Sequence, residues 1–209
     1  MEITTDHIVS GALSGEAMPD AMHILSADLF QGCGYFAKKA RTADGVYDTI
    51  VNNTACVLFG MSAMEAKTNE WASILYQPNA NSKNDPMIEK LKKIQSIPGM
   101  KDKWNRIASD YSGTDWNLKK DPFKTYEMMQ LLKNMLINYG EENTGKEEYL
   151  CEELSELMQN LNPDNLPIKK FSTADGMSDL LGLKELGMWI YLKAISFEAK
   201  SFALLIGKA

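Results

Sequence analysis

Arginine, histidine and cysteine are scarce in this 209-residue chain, and each scarcity closes off some chemistry. Of the 22 basic residues only Arg41 and Arg106 are arginines. The planar guanidinium fork is what grips phosphates and guanine edges, so its near absence argues against sequence-specific reading of nucleic acid. The net charge of −6 argues the same way, because a surface built mainly for nucleic acid is basic. With only His7 and His23, a zinc site would have to recruit carboxylates and distant partners, so no metal is expected. Cys33, Cys56 and Cys151 form no C-x-x-C pair. Cys33 in GCGYF and Cys56 in TACVLF sit in apolar stretches and read as reduced core residues of a cytoplasmic protein. No run approaches the ~18 apolar residues of a membrane span. The start, MEITTDHIVSGALSGEAM, lacks a basic region followed by an apolar core, so no signal peptide is expected. Sustained two-residue alternation is missing too, which excludes any convincing strand. Phosphate-cradling and nucleophile-elbow patterns such as G-x-x-x-x-G-K-[ST], G-x-G-x-x-G and G-x-S-x-G are absent, and no cofactor is expected.

What is present is helical periodicity. Tyr47, Ile50, Thr54, Val57, Met61, Met64, Thr68, Trp71 and Leu75 recur at intervals of three and four, a seam that predicts one long helix over 46–77. Val51, Ala55, Leu58 and Ala66 widen its apolar surface, which places the helix centrally with neighbours on more than one side. A second long helix is expected over about 19–40, where Gly32 and Gly34 weaken it or admit a close neighbour. Pro86 opens the short amphipathic stretch PMIEKLKKIQSI, and MKDKWNRIASDY forms another. Asp121-Pro122 starts a helix that Gly140 ends, with a cap followed by proline in the first turn. Further helices are expected over 147–161 and 177–206. Long elements joined by short connections predict an all-α fold, a single helical domain over 1–209 with long antiparallel helices and a short-helix insertion over 78–120. The Lys-rich EKLKK and LKKDPFKTY runs read as solvated faces, and the 13 methionines as an adaptable core.

Two stretches go beyond packing. SAMEAKTNEWASIL on the long helix places Glu65 and Asn69 in an apolar setting. DPFKTYEMMQLLKNMLINY carries Lys133-Asn134, then Asn138-Tyr139. Together they resemble the HEPN family, small helical bundles that include many metal-independent ribonucleases. That family carries a Glu on an early helix and R-N-x-x-x-H on a later one. Glu65 and Asn69 stand at the matching early positions, Asn134 matches the asparagine, and Tyr139 matches a common neighbour. Lys133 stands where the family has arginine and Asn138 where it has histidine. The short helices around IPGMKDKWNRIASDYSGTDW fit an insertion found in larger members, so the resemblance covers most of 45–160. It implies a homodimer with the signature helices facing each other, and Lys133, Asn138, Tyr139 and Asn69 as ligand-binding residues.

Metal-free RNA cleavage needs a base for the 2′-hydroxyl proton and a fixed cation for the developing phosphate charge. Histidine suits the first task because its pKa lies near neutrality, whereas asparagine accepts no proton in this range. Losing a general base costs on the order of 10²–10⁴ in rate. Lys133 supplies charge without a bidentate grip. Two readings of these residues stand side by side. In one, Glu65 pairs with Lys133 or an asparagine as a satisfied interhelical network. In the other, Lys133, Asn134, Asn138 and Glu65 form a site in a cleft, with Asn138 partly buried near Glu65 or Lys133. The expected function is accordingly non-catalytic, a HEPN-like regulatory or defence-related component that acts by binding a protein partner. A weak or altered metal-independent ribonuclease is the alternative from a different class, which would make nucleic acid a partner. An acidic inhibitor of a basic nucleic-acid-binding protein is a third.

Overall fold

The computed structural model describes residues 25–77, 85–113, 121, 123–137, 155–157, 159–161 and 174–205. Among them every regular element is an α-helix, and the fold is the all-α bundle expected. Its helices are α1 (Leu25–Arg41), α2 (Val46–Leu75), α3 (Pro86–Gln95), α4 (Met100–Ser112), α5 (Phe123–Ile137), α6 (Ala174–Leu181) and α7 (Leu186–Leu205). Residues 155–157 and 159–161 are helical as well. None of the described helices is long and apolar enough to cross a membrane.

α2 is the axis of the molecule and touches all six other helices. Two stripes explain this. Thr49, Asn53, Cys56, Gly60 and Ala63 are buried along one side, and Val57, Met61, Met64, Thr68 and Ala72 along the next. The predicted seam is therefore inward over Val57, Met61, Met64 and Thr68, whereas Tyr47 at its start is exposed in the opening turn. Val51 and Leu58, expected to widen the packed surface, are also exposed.

α1 runs antiparallel to α2, since Ser26 meets Glu70 at one end and Cys33 meets Cys56 further along. The Glu70 carboxylate accepts from the Ser26 backbone N–H at 2.9 Å and from its hydroxyl at 2.6 Å. A carboxylate there satisfies a donor that a helix start leaves unpaired. Small side chains let the helices approach. A Cβ on Gly34 would lie 2.9 Å from the Tyr191 ring of α7. A Cβ on Gly187 would lie 3.1 Å from the Ala37 Cα and 2.7 Å from the Asn53 Oδ1. Cys33 and Cys56, both free, sit inside this contact, and each thiol donates to the other residue's carbonyl at 3.5 and 3.4 Å. Cys151 lies outside the described residues.

The remaining helices build a second, bulkier part of the core. α3 starts at Pro86 with the Asp85 side chain accepting from the Met87 N–H at 2.8 Å. α4 ends at Gly113, whose φ of 68° is the left-handed conformation that glycine adopts without strain. The segment that reads as an insertion carries Trp104 and Ile107 fully buried, with Trp104 against Phe197 of α7 at 6.0 Å between ring centres. Tyr76 closes α2 and donates to Asp110 of α4 at 2.7 Å. Burial and that acidic partner push its phenol up.

The closing helix differs from expectation. Instead of one helix over 177–206 there are two, broken at Gly182. The cause lies on α2, where the fully buried Asn53 donates its amide to the Leu181 and Leu183 carbonyls at 2.7 and 2.8 Å. Those bonds draw carbonyls of the break toward α2 in place of uninterrupted helical pairing.

Candidate functional site

The motif residues meet where α2, α4 and α5 converge. Glu65 sits on the edge of α2 that faces α5, and Lys133 on the α5 edge that faces back. The Lys133 ammonium donates to the Glu65 Oε1 at 3.1 Å, with the two side chains 26% and 42% exposed. Of the partners that the sequence offered Glu65 across helices, Lys133 or an asparagine, Lys133 is the one observed. An ion pair this open is worth little in stability, on the order of 0–1 kcal/mol, because water and salt screen it. Its chemical effect is larger than its energy. The lysine charge that would meet a phosphate is already faced by a carboxylate.

Asn69, one turn along α2, accepts from the Lys103 ammonium of α4 at 2.8 Å. Asn134 follows Lys133 on α5 and is exposed. Asn138 and Tyr139 lie outside the described residues. The structure therefore brings Glu65, Lys133 and Asn69 into one seam and leaves the other half of the motif without a described position.

The seam contains residues that the sequence did not single out. Lys101 of α4 pairs with Glu127 of α5 at 2.5 Å. Tyr126 lies buried beneath, and burial, followed by the negative charges of Glu65 and Glu127, pushes its phenol up. Lys101 and Lys103 lie in MKDKWNRIASDY, which reads in sequence only as a short amphipathic stretch. The structure sets them against Asn69 of α2 and Glu127 of α5 at the partly exposed edge of the seam.

A second polar cluster joins α5 to α7. Asp121 accepts from the Thr125 hydroxyl at 2.6 Å and faces the Lys193 and Lys200 ammoniums, each at 3.5 Å. Burial raises the Asp121 carboxyl, but the Thr125 hydrogen bond and the two lysine charges outweigh it and hold it below the usual carboxylate range. These groups, with Ser196 and Phe197, line a depression whose walls leave no interior space for a ligand. Among the described residues no three His, Cys, Asp or Glu side chains gather as metal ligands would. No family model matches this chain, and no curated protein or solved structure matches it.

Proposed function

We propose that this chain is a non-catalytic, HEPN-like helical protein that acts by binding, as a homodimer in the cytoplasm and as a regulatory or defence-related component. The single observation that carries the reading is the Glu65–Lys133 pair at 3.1 Å. It occupies the cation that the family mechanism would aim at a phosphate, and the sequence has asparagine where that mechanism has its base. An RNA phosphate approaching Lys133 must displace a carboxylate and meet its repulsion, which weakens the electrostatic stabilisation that phosphoryl chemistry depends on. The buried, reduced Cys33 and Cys56 fit a cytoplasmic location.

The test is RNA degradation in the presence of EDTA by the wild type, Lys133→Ala and Asn138→His. The expected result is an inert wild type. Gain of cleavage by Asn138→His would identify a lost base and sharpen the binding reading. A wild type that cleaves, and loses cleavage on Lys133→Ala, makes the protein an enzyme and ends the reading.

A further inference from the structure

Cys33 of α1 and Cys56 of α2 oppose each other across the hairpin, and the reach between them is reciprocal. The Cys33 thiol donates to the Cys56 carbonyl at 3.5 Å and the Cys56 thiol to the Cys33 carbonyl at 3.4 Å. The two side chains are themselves within hydrogen-bonding reach. Their surroundings are equally close. A Cβ on Gly60 would lie 3.5 Å from the Cys33 sulfur, and one on Gly187 would lie 3.1 Å from the Cys56 sulfur. We propose that Cys33 and Cys56 are a disulfide-forming pair, in which a low-molecular-weight disulfide closes a covalent link between α1 and α2 and a thiol reductant opens it. The inference is independent of the reading of Glu65 and Lys133.

Helix geometry permits the bond. Helices packed through small residues have axes about 8 Å apart, and their Cα atoms lie about 2.3 Å off axis. Opposed Cα atoms, standing somewhat off the line of closest approach, then fall within the roughly 4.4–6.8 Å that a disulfide spans. The link also strands no polar group. It removes two S–H donors, while both carbonyls lie inside helices and already accept the amide four residues on. Packing alone does not ask for sulfur at these positions, since Ala37, Gly60 and Ala63 are buried on the same two helices without it.

The exchange balances with oxidised glutathione as the oxidant. One cysteine, reached during an opening of the hairpin, loses its proton to water and attacks a glutathione sulfur. A protein–glutathione bond forms and one glutathione thiolate leaves. The second cysteine loses its proton, attacks the protein sulfur of that mixed disulfide and expels the second glutathione thiolate. Two cysteine thiols are thereby oxidised by two electrons, and one glutathione disulfide is reduced to two thiols. In a reducing compartment the pair stays open.

The experiment incubates the full-length protein with oxidised glutathione, in buffer and in urea below the unfolding midpoint, and maps the products by mass spectrometry after acid quenching and digestion. The expected product joins Cys33 to Cys56, forms faster in urea and disappears with dithiothreitol. Returned to buffer, the linked protein is expected to melt about 5 °C or more above the reduced one, because the link restricts the opened chain. Cys151→Ser should link as the wild type does, and Cys33→Ala should show no rise in melting temperature. Glutathione adducts without a Cys33–Cys56 link in either solution, or links to Cys151 alone, overturn the proposal. So does a linked protein that melts no higher than the reduced one, because this contact would then not accommodate the bond.

Discussion

The two halves of the core solve the same packing problem by different means. Where α1, α2 and α7 meet, the contact is made by Cys33, Ala37, Cys56, Gly60 and Gly187, with backbones close together and one buried amide, Asn53, at the centre. Where α4, α5 and α7 meet α2, it is made by Trp104, Phe123, Tyr126, Met129 and Phe197. The first half is specified by shape and has no room to give. The second is specified by volume, and its methionines adapt to neighbours. Such a division lets one half hold register while the other absorbs change.

The hardest blow to the shape-specified half is Asn53→Asp. The new carboxylate would face two backbone carbonyls at a position with no solvent contact, and urea titration should register a loss of about 4 kcal/mol at neutral pH. Part of the loss should return on acidification, because a protonated acid donates to one of the carbonyls. An unchanged midpoint would remove the amide from its central place.

Next in size is a matched pair that sets the halves against each other. Gly187→Leu drives a side chain into the Ala37 backbone and should cost about 3 kcal/mol, whereas Met129→Leu, nearly volume-conserving, should stay within about 1.5 kcal/mol. Equal costs would erase the distinction. The smallest expected effect is at the join between α5 and α7. Asp121→Asn should lower stability by less than about 1 kcal/mol, since the lysine partners are partly exposed. Because the Asp121 carboxyl is held below its ordinary value of 3.8, its contribution is full above that value and disappears as pH falls through the lowered one. Melting curves of the two proteins should therefore converge in acid.

The same division explains what was legible beforehand. The length of α2 was readable because Val57, Met61, Met64 and Thr68 keep a helical interval without interruption. The start of α3 was readable from Pro86, because proline at a first turn is a local signal. The break at Gly182 was not, since apolar residues continue at helical spacing on both sides of it. Its cause, Asn53, lies 128 residues from Leu181. At the candidate site the sequence offered Glu65 either Lys133 or an asparagine as partner across helices, and helical spacing alone could not choose between them. Lys101, Lys103 and Glu127 were not legible there, because an amphipathic segment shows its polar face in sequence without showing what crosses it.

The reciprocal thiol contacts between α1 and α2 have a kinetic consequence. Cys33 and Cys56 have no surface exposure, so an alkylating reagent reaches neither sulfur in the folded state, and hydrogen bonding to Cys33 together with burial pushes the Cys56 thiol up as well. Modification then proceeds only through openings that separate the hairpin. The rate at which these two thiols are labelled becomes a clock on those openings, set by the population of the opened state when reclosing outpaces the reagent.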